Sequence, residues 1–256
     1  MSELVKRTLS GVVLAFAVIL SIIYLPVEVL KVSVCLLSVV VVYELIGLLE
    51  DILKGFRNVY ILLMAFLSSL SLLFLDVYLA VLLIALYGFW IGHRYNSLQY
   101  TSFTFLTLVY GVFFVSSIGK LIEEDKLLVF LLFSVVWVGD TTAYIVGKNF
   151  GKHKMAPALS PKKTWEGGFG SFLGSFIAGY SFIDYFNLSL VYMVPVLISA
   201  VFLQVGDLFE SFIKRQVGKK DASNLIPGHG GLLDRVDSLV FASVVFLVWI
   251  DLSKLV

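Results

Sequence analysis

The sequence predicts an all-α fold: a polytopic integral membrane protein with about nine transmembrane helices. Three observations lead there. Hydrophobic residues make up 59% of the 256 positions, charged residues only 14%, and the mean hydropathy is +0.98, far too apolar for a soluble domain of this length. Apolar runs near the length of a bilayer crossing recur along the whole chain. The Lys and Arg residues between those runs fall mainly on alternate connections, as the positive-inside rule requires of a membrane protein.

The first run, 8–25, follows Lys6 and Arg7 and superficially resembles a signal peptide. No small-x-small cleavage pattern precedes Pro26 and more apolar segments follow at once, so the run reads as the first membrane helix. Further runs span 33–49, 59–75, 77–91, 102–118, 127–147, 168–186, 188–205 and 236–252. Several are near the low end for a helix crossing roughly 30 Å of hydrocarbon. With a cytoplasmic N-terminus and nine crossings, fifteen of the 19 basic residues lie inside, Lys54 and Arg57 among them, and Lys31, Lys120, Lys126 and Lys254 lie outside. Two long polar connections, 148–167 and 210–233, are then expected on the cytoplasmic face, where they can meet over one site. No linker, repeat or low-complexity tract divides the chain, which reads as a single membrane domain over 1–256. The one cysteine, Cys35, lies in an apolar run and is expected to be packed or lipid-facing, with no disulfide framework.

Within the runs, ionisable residues are the informative ones, because a carboxylate is costly in lipid and usually faces a polar cavity or a partner. Asp140, in GDTTAY, is expected to have a site role, with Tyr144 four residues on along the same helical face. Glu44 is a weaker case, since it lies near the end of its run and can reach the interface. In the connection that follows Asp140, Ser160, Pro161, Lys162, Lys163 and Thr164 read as a compact basic turn, suited either to phosphates or to anionic headgroups. Trp165 suits an interfacial aromatic, and His153 and His93 read as solvent-facing. Small residues at four-residue spacing, Gly170, Gly174 and Ala178 on one stripe and Gly167, Ser171, Ser175 and Gly179 on the next, read as helix-packing faces. Pro195 is expected to kink its helix.

The stretch 204–238 is unlike the rest of the chain: it mixes Asp207, Glu210, Asp221, Asp234 and Asp237 with five basic residues and a run of glycines. Asp207, Ser211 and Lys214 fall at i, i+4 and i+7 on one helical stripe. An interfacial helix with a Glu210–Lys214 surface pair is the plain alternative, but it leaves Asp207 inside the membrane run unexplained. Gly228, Gly230 and Gly231 around His229 allow close backbone approach. Asp234 and Asp237 stand three apart; taken alone they suit a capping box, and taken with Asp207 and Asp140 they suit a convergent carboxylate site. Oxygen ligands beside many Lys and Arg groups imply magnesium with phosphates, while no Cys or His pair suits zinc.

These residues resemble the signature of the phosphatidate cytidylyltransferases, also called CDP-diacylglycerol synthases. The resemblance runs from Ser211 through Lys214, Arg215, Lys220, Asp221, Ser223, His229, Gly230, Gly231, Asp234 and Arg235 to Asp237, and extends to SPKKTWEG at 160–167 and GDTTAY at 139–144. It covers the C-terminal half, 127–256, which would carry the catalytic site, while 1–126 would be the variable N-terminal helices. It implies transfer of the cytidylyl group of CTP to phosphatidate within the lipid bilayer, at a site facing the cytoplasm across a bacterial inner membrane. The nucleophile is an already anionic phosphate, so the task is positioning and charge neutralisation rather than general base catalysis. The resemblance makes Asp207 and Asp234 the Mg2+ ligands, with Asp221 and Asp237 nearby and a second cation left open. Lys162, Lys163, Lys214, Lys220 and Arg235 would hold phosphates. Ser160, Thr164, Ser211, Arg215, Gly230, Gly231 and Asp140 would complete the substrate site, and His229 would contact phosphate or shape the glycine turn. No nucleic acid is implied, and a homodimer is left open. A CTP-dependent kinase of a polyprenol-type lipid is the alternative enzyme, and an ion-coupled transporter the alternative from another class.

Overall fold

The structure, a computed structural model, describes residues 3–53, 55–56, 58–226 and 230–254, with the side chains of 3–10 excepted. Lys54, Arg57 and His229 lie outside the described residues, so the expectations that fall on them have no structural counterpart. The chain forms two compact units: Met1–Glu123 with Val217–Arg235, and Glu124–Gln216 with Val236–Val256.

The first unit holds α1 (Glu3–Tyr24), α2 (Val27–Leu49), α3 (Val59–Phe74), α4 (Val77–Tyr95), α5 (Leu98–Leu108) and α6 (Val115–Glu124), the last two joined by a π-helical stretch, Val109–Phe114. Polar side chains start several of them: Asn58 accepts from the Tyr60 N–H at 3.0 Å and Asp76 from the Tyr78 N–H at 2.7 Å. Gly111 lets the π stretch approach α2, for a Cβ there would meet Val42 Cγ2. The buried hydroxyls of Ser38, Ser69 and Ser116 tie α2, α3 and α6 at 3.3 and 2.7 Å. Lys31, one of the four basic residues expected outside, is buried near the start of α2, where Glu123 at 3.1 Å and the Phe74 ring at 4.4 Å hold its ammonium group.

The second unit holds α7 (Lys126–Phe150), a hairpin of β1 (Lys154–Ala156) and β2 (Ser160–Thr164), α8 (Trp165–Tyr185), α9 (Met193–Gln216) and most of α10 (Leu233–Ser253). The basic turn expected at 160–164 is thus a strand: Lys154 pairs with Thr164 and Ala156 with Ser160 across an antiparallel ladder. Pro195 does not kink α9. It sits in the first turn, where its missing N–H has no intrahelical partner to lose.

The expected small-residue faces pack as anticipated. Added Cβ atoms at Gly170 and Gly174 would lie 2.7 and 2.2 Å from Val146 and Thr142 of α7, and one at Gly179 2.5 Å from Val196 of α9. Gly206 packs against backbone of α10, where a Cβ would stand 2.5 Å from the Asp237 carbonyl oxygen and 3.1 Å from Ser238 Cα. Backbone cannot rotate aside, so Gly206→Ala is expected to force α9 from α10 and cost about 1–3 kcal/mol. Thermal unfolding of the detergent-solubilised protein measures this directly.

Each of the nine expected runs overlaps helix, four of them running past a helix end at Leu25, Leu75, Phe186 or Leu188–Ser189, and six helices among the described residues are long and apolar enough to cross a membrane: Val27–Leu49, Val77–Tyr95, Leu98–Glu124, Lys126–Phe150, Leu190–Gln216 and Leu233–Ser253. Gly11–Tyr24 and Val59–Phe74 are apolar but shorter. The Gly- and Ser-rich α8 is in neither group. The protein is therefore an all-α membrane protein with one small hairpin.

Candidate active site

A pocket of about 690 Å³ opens in the second unit. Its walls combine four lysines, Lys148, Lys154, Lys162 and Lys163, with Asp140 and Asp207, and with Tyr144, Ser160, Thr164 and Gln204. Gly147, Gly151, Gly167 and Gly168 also line it, so backbone forms part of the surface.

Local structure explains how these groups arrive together. Asp140, Tyr144 and Lys148 are spaced by four along α7 and share one face, with the Lys148 ammonium group 5.7 Å from the centre of the Tyr144 ring. The hairpin delivers Lys154 from one strand and Lys162 and Lys163 from the other. Thr164 ends β2 and caps α8, its hydroxyl accepting the Gly167 N–H at 3.1 Å, so the positive end of a 21-residue helix also faces the pocket. Gln204 and Asp207 come from α9, and Gln204 is oriented by donating to Ser171 Oγ at 3.2 Å.

Asp207 is held from two sides. Its Oδ2 pairs with Lys163 Nζ at 2.8 Å and its Oδ1 accepts from Ser211 Oγ at 3.3 Å, one helical turn on. The Lys163 side chain is only 15% exposed and also reaches the Gln204 carbonyl at 3.4 Å. A cation and an anion held together in partial burial interact more strongly than a surface pair.

Two expected phosphate ligands have other partners. Lys214 is paired with Glu210 at 2.6 Å, and because both side chains are buried this is not the surface pair that helical spacing suggests. Arg215 Nε donates to the Leu159 carbonyl at 3.1 Å, joining the end of α9 to the hairpin.

The hairpin has a second brace. Glu166 accepts the His153 N–H at 3.2 Å and contacts the exposed His153 ring at 2.6 Å, so His153 is solvent-facing but partnered. Hydrogen bonding to the Glu166 backbone N–H first, then to the His153 ring, holds the Glu166 carboxyl down to about 2. A folded value below the ordinary carboxylate range contributes stability that is present above that range and lost as pH falls through about 2. The thermal advantage of wild type over Glu166→Gln is therefore expected to shrink between roughly pH 4.5 and 2, which unfolding scans at a series of acid pH values would read.

The remaining expected residues form a separate arrangement in the first unit. The loop that precedes α10 turns back on itself at Gly230, whose φ of +82° suits glycine, with the Ile226 N–H donating to the Gly230 carbonyl at 2.8 Å. Asp234 is not the N-cap of α10, which begins at Leu233; its Oδ2 instead accepts the N–H groups of Ala222 at 2.9 Å and Gly231 at 2.7 Å. Lys220, Asp221 and Arg235 are exposed around this ring. Asp237, further along α10, belongs to the second unit and accepts the Ser238 N–H on Oδ1 at 2.7 Å.

The pocket thus brings together Asp140, Ser160, Lys162, Lys163, Thr164 and Asp207, while Lys220, Asp221, Gly230, Gly231, Asp234 and Arg235 belong to the loop arrangement. Sequence reasoning missed Lys148, Lys154 and Gln204. Lys148 was findable from its helical spacing to Asp140, whereas Lys154 needed the strand pairing.

The chain matches the model of the cytidylyltransferase family over residues 5–253. It is 38% identical over 158 residues to a phosphatidate cytidylyltransferase of Staphylococcus epidermidis, covering 57% of this chain and 60% of that protein. A protein of the same name from Haemophilus influenzae is 42% identical over 122 residues, covering 45% of this chain and 42% of the relative. One from Rickettsia prowazekii is 33% identical over 215 residues, covering 77% of this chain and 94% of the relative. The chain therefore spans less than two thirds of the Staphylococcus and Haemophilus relatives and nearly all of the Rickettsia one.

Proposed function

The chain belongs to the cytidylyltransferase family, and from that premise we propose that it transfers the cytidylyl group of CTP to phosphatidate, giving CDP-diacylglycerol and pyrophosphate for phospholipid biosynthesis. The observation that carries this reading is the pocket in which four lysines, a helix N-terminus and two aspartates converge. Such a lining suits a polyanion brought with a cation.

In the reaction a phosphatidate oxygen attacks the α-phosphorus of CTP, a new P–O bond forms, and the bond to the β-phosphate oxygen breaks to release pyrophosphate. Lys148, Lys154, Lys162 and Lys163 hold the triphosphate and neutralise the charge that gathers on the leaving group. Ser160 and Thr164 supply hydroxyls at the pocket wall. Lys214 and Arg215 act at one remove, by bracing α9 and the hairpin.

The donors of this pocket fit Mg2+: Asp207 and Asp140 offer hard carboxylate oxygens, and among the described residues no group of three or more His, Cys, Asp and Glu side chains forms a cage for a fully protein-bound metal. A cation taking its other ligands from phosphate and water suits that set. When bound it would polarise the reacting phosphate. Asp207 would hold it here. Asp234, the other expected ligand, keeps its proposed part in holding the cation. Lys220, Asp221, Arg235 and Asp237 keep their proposed parts in phosphate and metal handling. The pocket opens to the cytoplasm in this reading, with the N-terminus on the same side, as the distribution of basic residues along the chain supports.

CTP labelled separately at the α and γ phosphates tests the reading. Lipid is expected to acquire the α label with stoichiometric pyrophosphate release, whereas entry of the γ label alone would establish a lipid kinase instead.

A further inference from the structure

Resting on that reading for the reaction it serves, we infer that Glu44 of α2 is a positioning residue that holds the loop residues 221–226 and 230–234 in their working arrangement.

A carboxylate within an apolar helix persists only if its lone pairs are satisfied, and Glu44 is 2% exposed. Its partners among the described residues come from the loop and the start of α10. Oε1 accepts from Ser223 Oγ at 2.5 Å and from the Leu232 N–H at 3.0 Å, and Oε2 accepts the Leu233 N–H at 2.7 Å. Leu232 and Leu233 stand at the start of α10, where backbone N–H groups have no intrahelical acceptor and favour a negative charge. Glu44 therefore caps α10 from 189 residues away, in place of a cap from the adjoining chain.

The loop is shaped around this carboxylate. Gly231 packs against it so closely that a Cβ would lie 2.7 Å from Oε1 and 2.8 Å from Oε2. From the other side Asp234 closes the ring through Ala222 and Gly231. Ser223 and Gly231, both within the signature stretch, thus have a physical reason for their identity: one donates to Glu44 and the other leaves room for it. Beside them Asp221 and Arg235 are displayed, and Asp234 is held by the same ring. A displacement of the order of 1 Å in groups that position phosphates lowers turnover by about 10²-fold, so Glu44 would act on kcat through the loop without touching substrate.

The test uses the full-length protein in detergent, with kcat, KM for CTP, thermal unfolding and amide hydrogen exchange over 221–233. In Glu44→Gln an amide N–H2 replaces one acceptor and faces a backbone N–H. The expected result is a fall in kcat of about 10- to 100-fold, little change in KM for CTP, and faster exchange over 221–233. Ser223→Ala should lower kcat less and add nothing in the Glu44→Gln background, and Glu44→Asp should restore part of the loss. Wild-type kcat in Glu44→Gln, or additive effects of the two substitutions, would overturn the inference. If Glu44→Gln does not assemble, Gly231→Ala decides: a similar loss of kcat supports the inference and wild-type turnover overturns it. Wild type inactive with CTP and phosphatidate would remove the proposed function instead. Hydrogen exchange would then decide on Glu44 alone, with faster exchange over 221–233 in Glu44→Gln supporting its role and unchanged exchange overturning it.

Discussion

Asp207→Asn is expected to lower CDP-diacylglycerol formation by about 10²- to 10³-fold, with CTP binding unchanged or tighter. The asymmetry follows from charge. With Lys148, Lys154, Lys162 and Lys163 lining the pocket beside Asp140 and Asp207, loss of one carboxylate makes the pocket more positive, which favours the nucleotide polyanion and disfavours the cation. Asparagine also keeps only one acceptor for the two donors that Asp207 serves, Lys163 and Ser211. Pyrophosphate release across a Mg2+ titration would show a depressed maximum and a raised half-saturating concentration. Wild-type turnover with unchanged metal dependence would remove Asp207 from the machinery.

Lys163→Met should lower kcat/KM by about 10- to 100-fold, since charge-assisted hydrogen bonds contribute about 1.5–3 kcal/mol. Its signature differs from that of Asp207. The nucleotide loses a cation, so KM for CTP should rise. Asp207 meanwhile loses the ammonium group held 2.8 Å from Oδ2, so a metal ion meets less competition and the half-saturating Mg2+ concentration should fall. Lys163→Arg would keep the charge but present a planar fork in a site only 15% exposed, and partial recovery is expected. Opposite shifts in metal dependence for Asp207→Asn and Lys163→Met would tie the two side chains to one cation site. A Lys163→Met enzyme with unchanged KM and metal dependence would confine Lys163 to bracing β2 against α9.

The apolar runs were legible because burial in lipid is recorded locally, residue after residue, and the small-residue stripes of α8 because helix packing repeats at helical spacing. The same periodicity placed Asp140 with Tyr144 and Asp207 with Ser211. Where the chain leaves the helix, that signal stops. A single sequence showed Lys162 and Lys163 as a basic turn, but the ladder that makes this segment a strand, and brings Lys154 opposite Thr164, depends on pairing between separated residues. Pro195 misled for a related reason: its effect depends on distance from the helix start, which 3-10 residues Leu190–Tyr192 and the α9 start at Met193 determine.

What the sequence by itself determined is the membrane-embedded helical class, its helices and the identity of the charged groups, all properties of short-range pattern. Tertiary structure alone decided which charges answer one another. Lys163 neutralises Asp207 across 44 residues, as the difference between 207 and 163 shows, and Glu44 reaches Ser223, Leu232 and Leu233 from the far end of the chain, while the Glu210–Lys214 pair, readable from helical spacing, owes only its burial to the tertiary structure. A buried carboxylate must find donors somewhere, and the sequence states that need without stating where it is met.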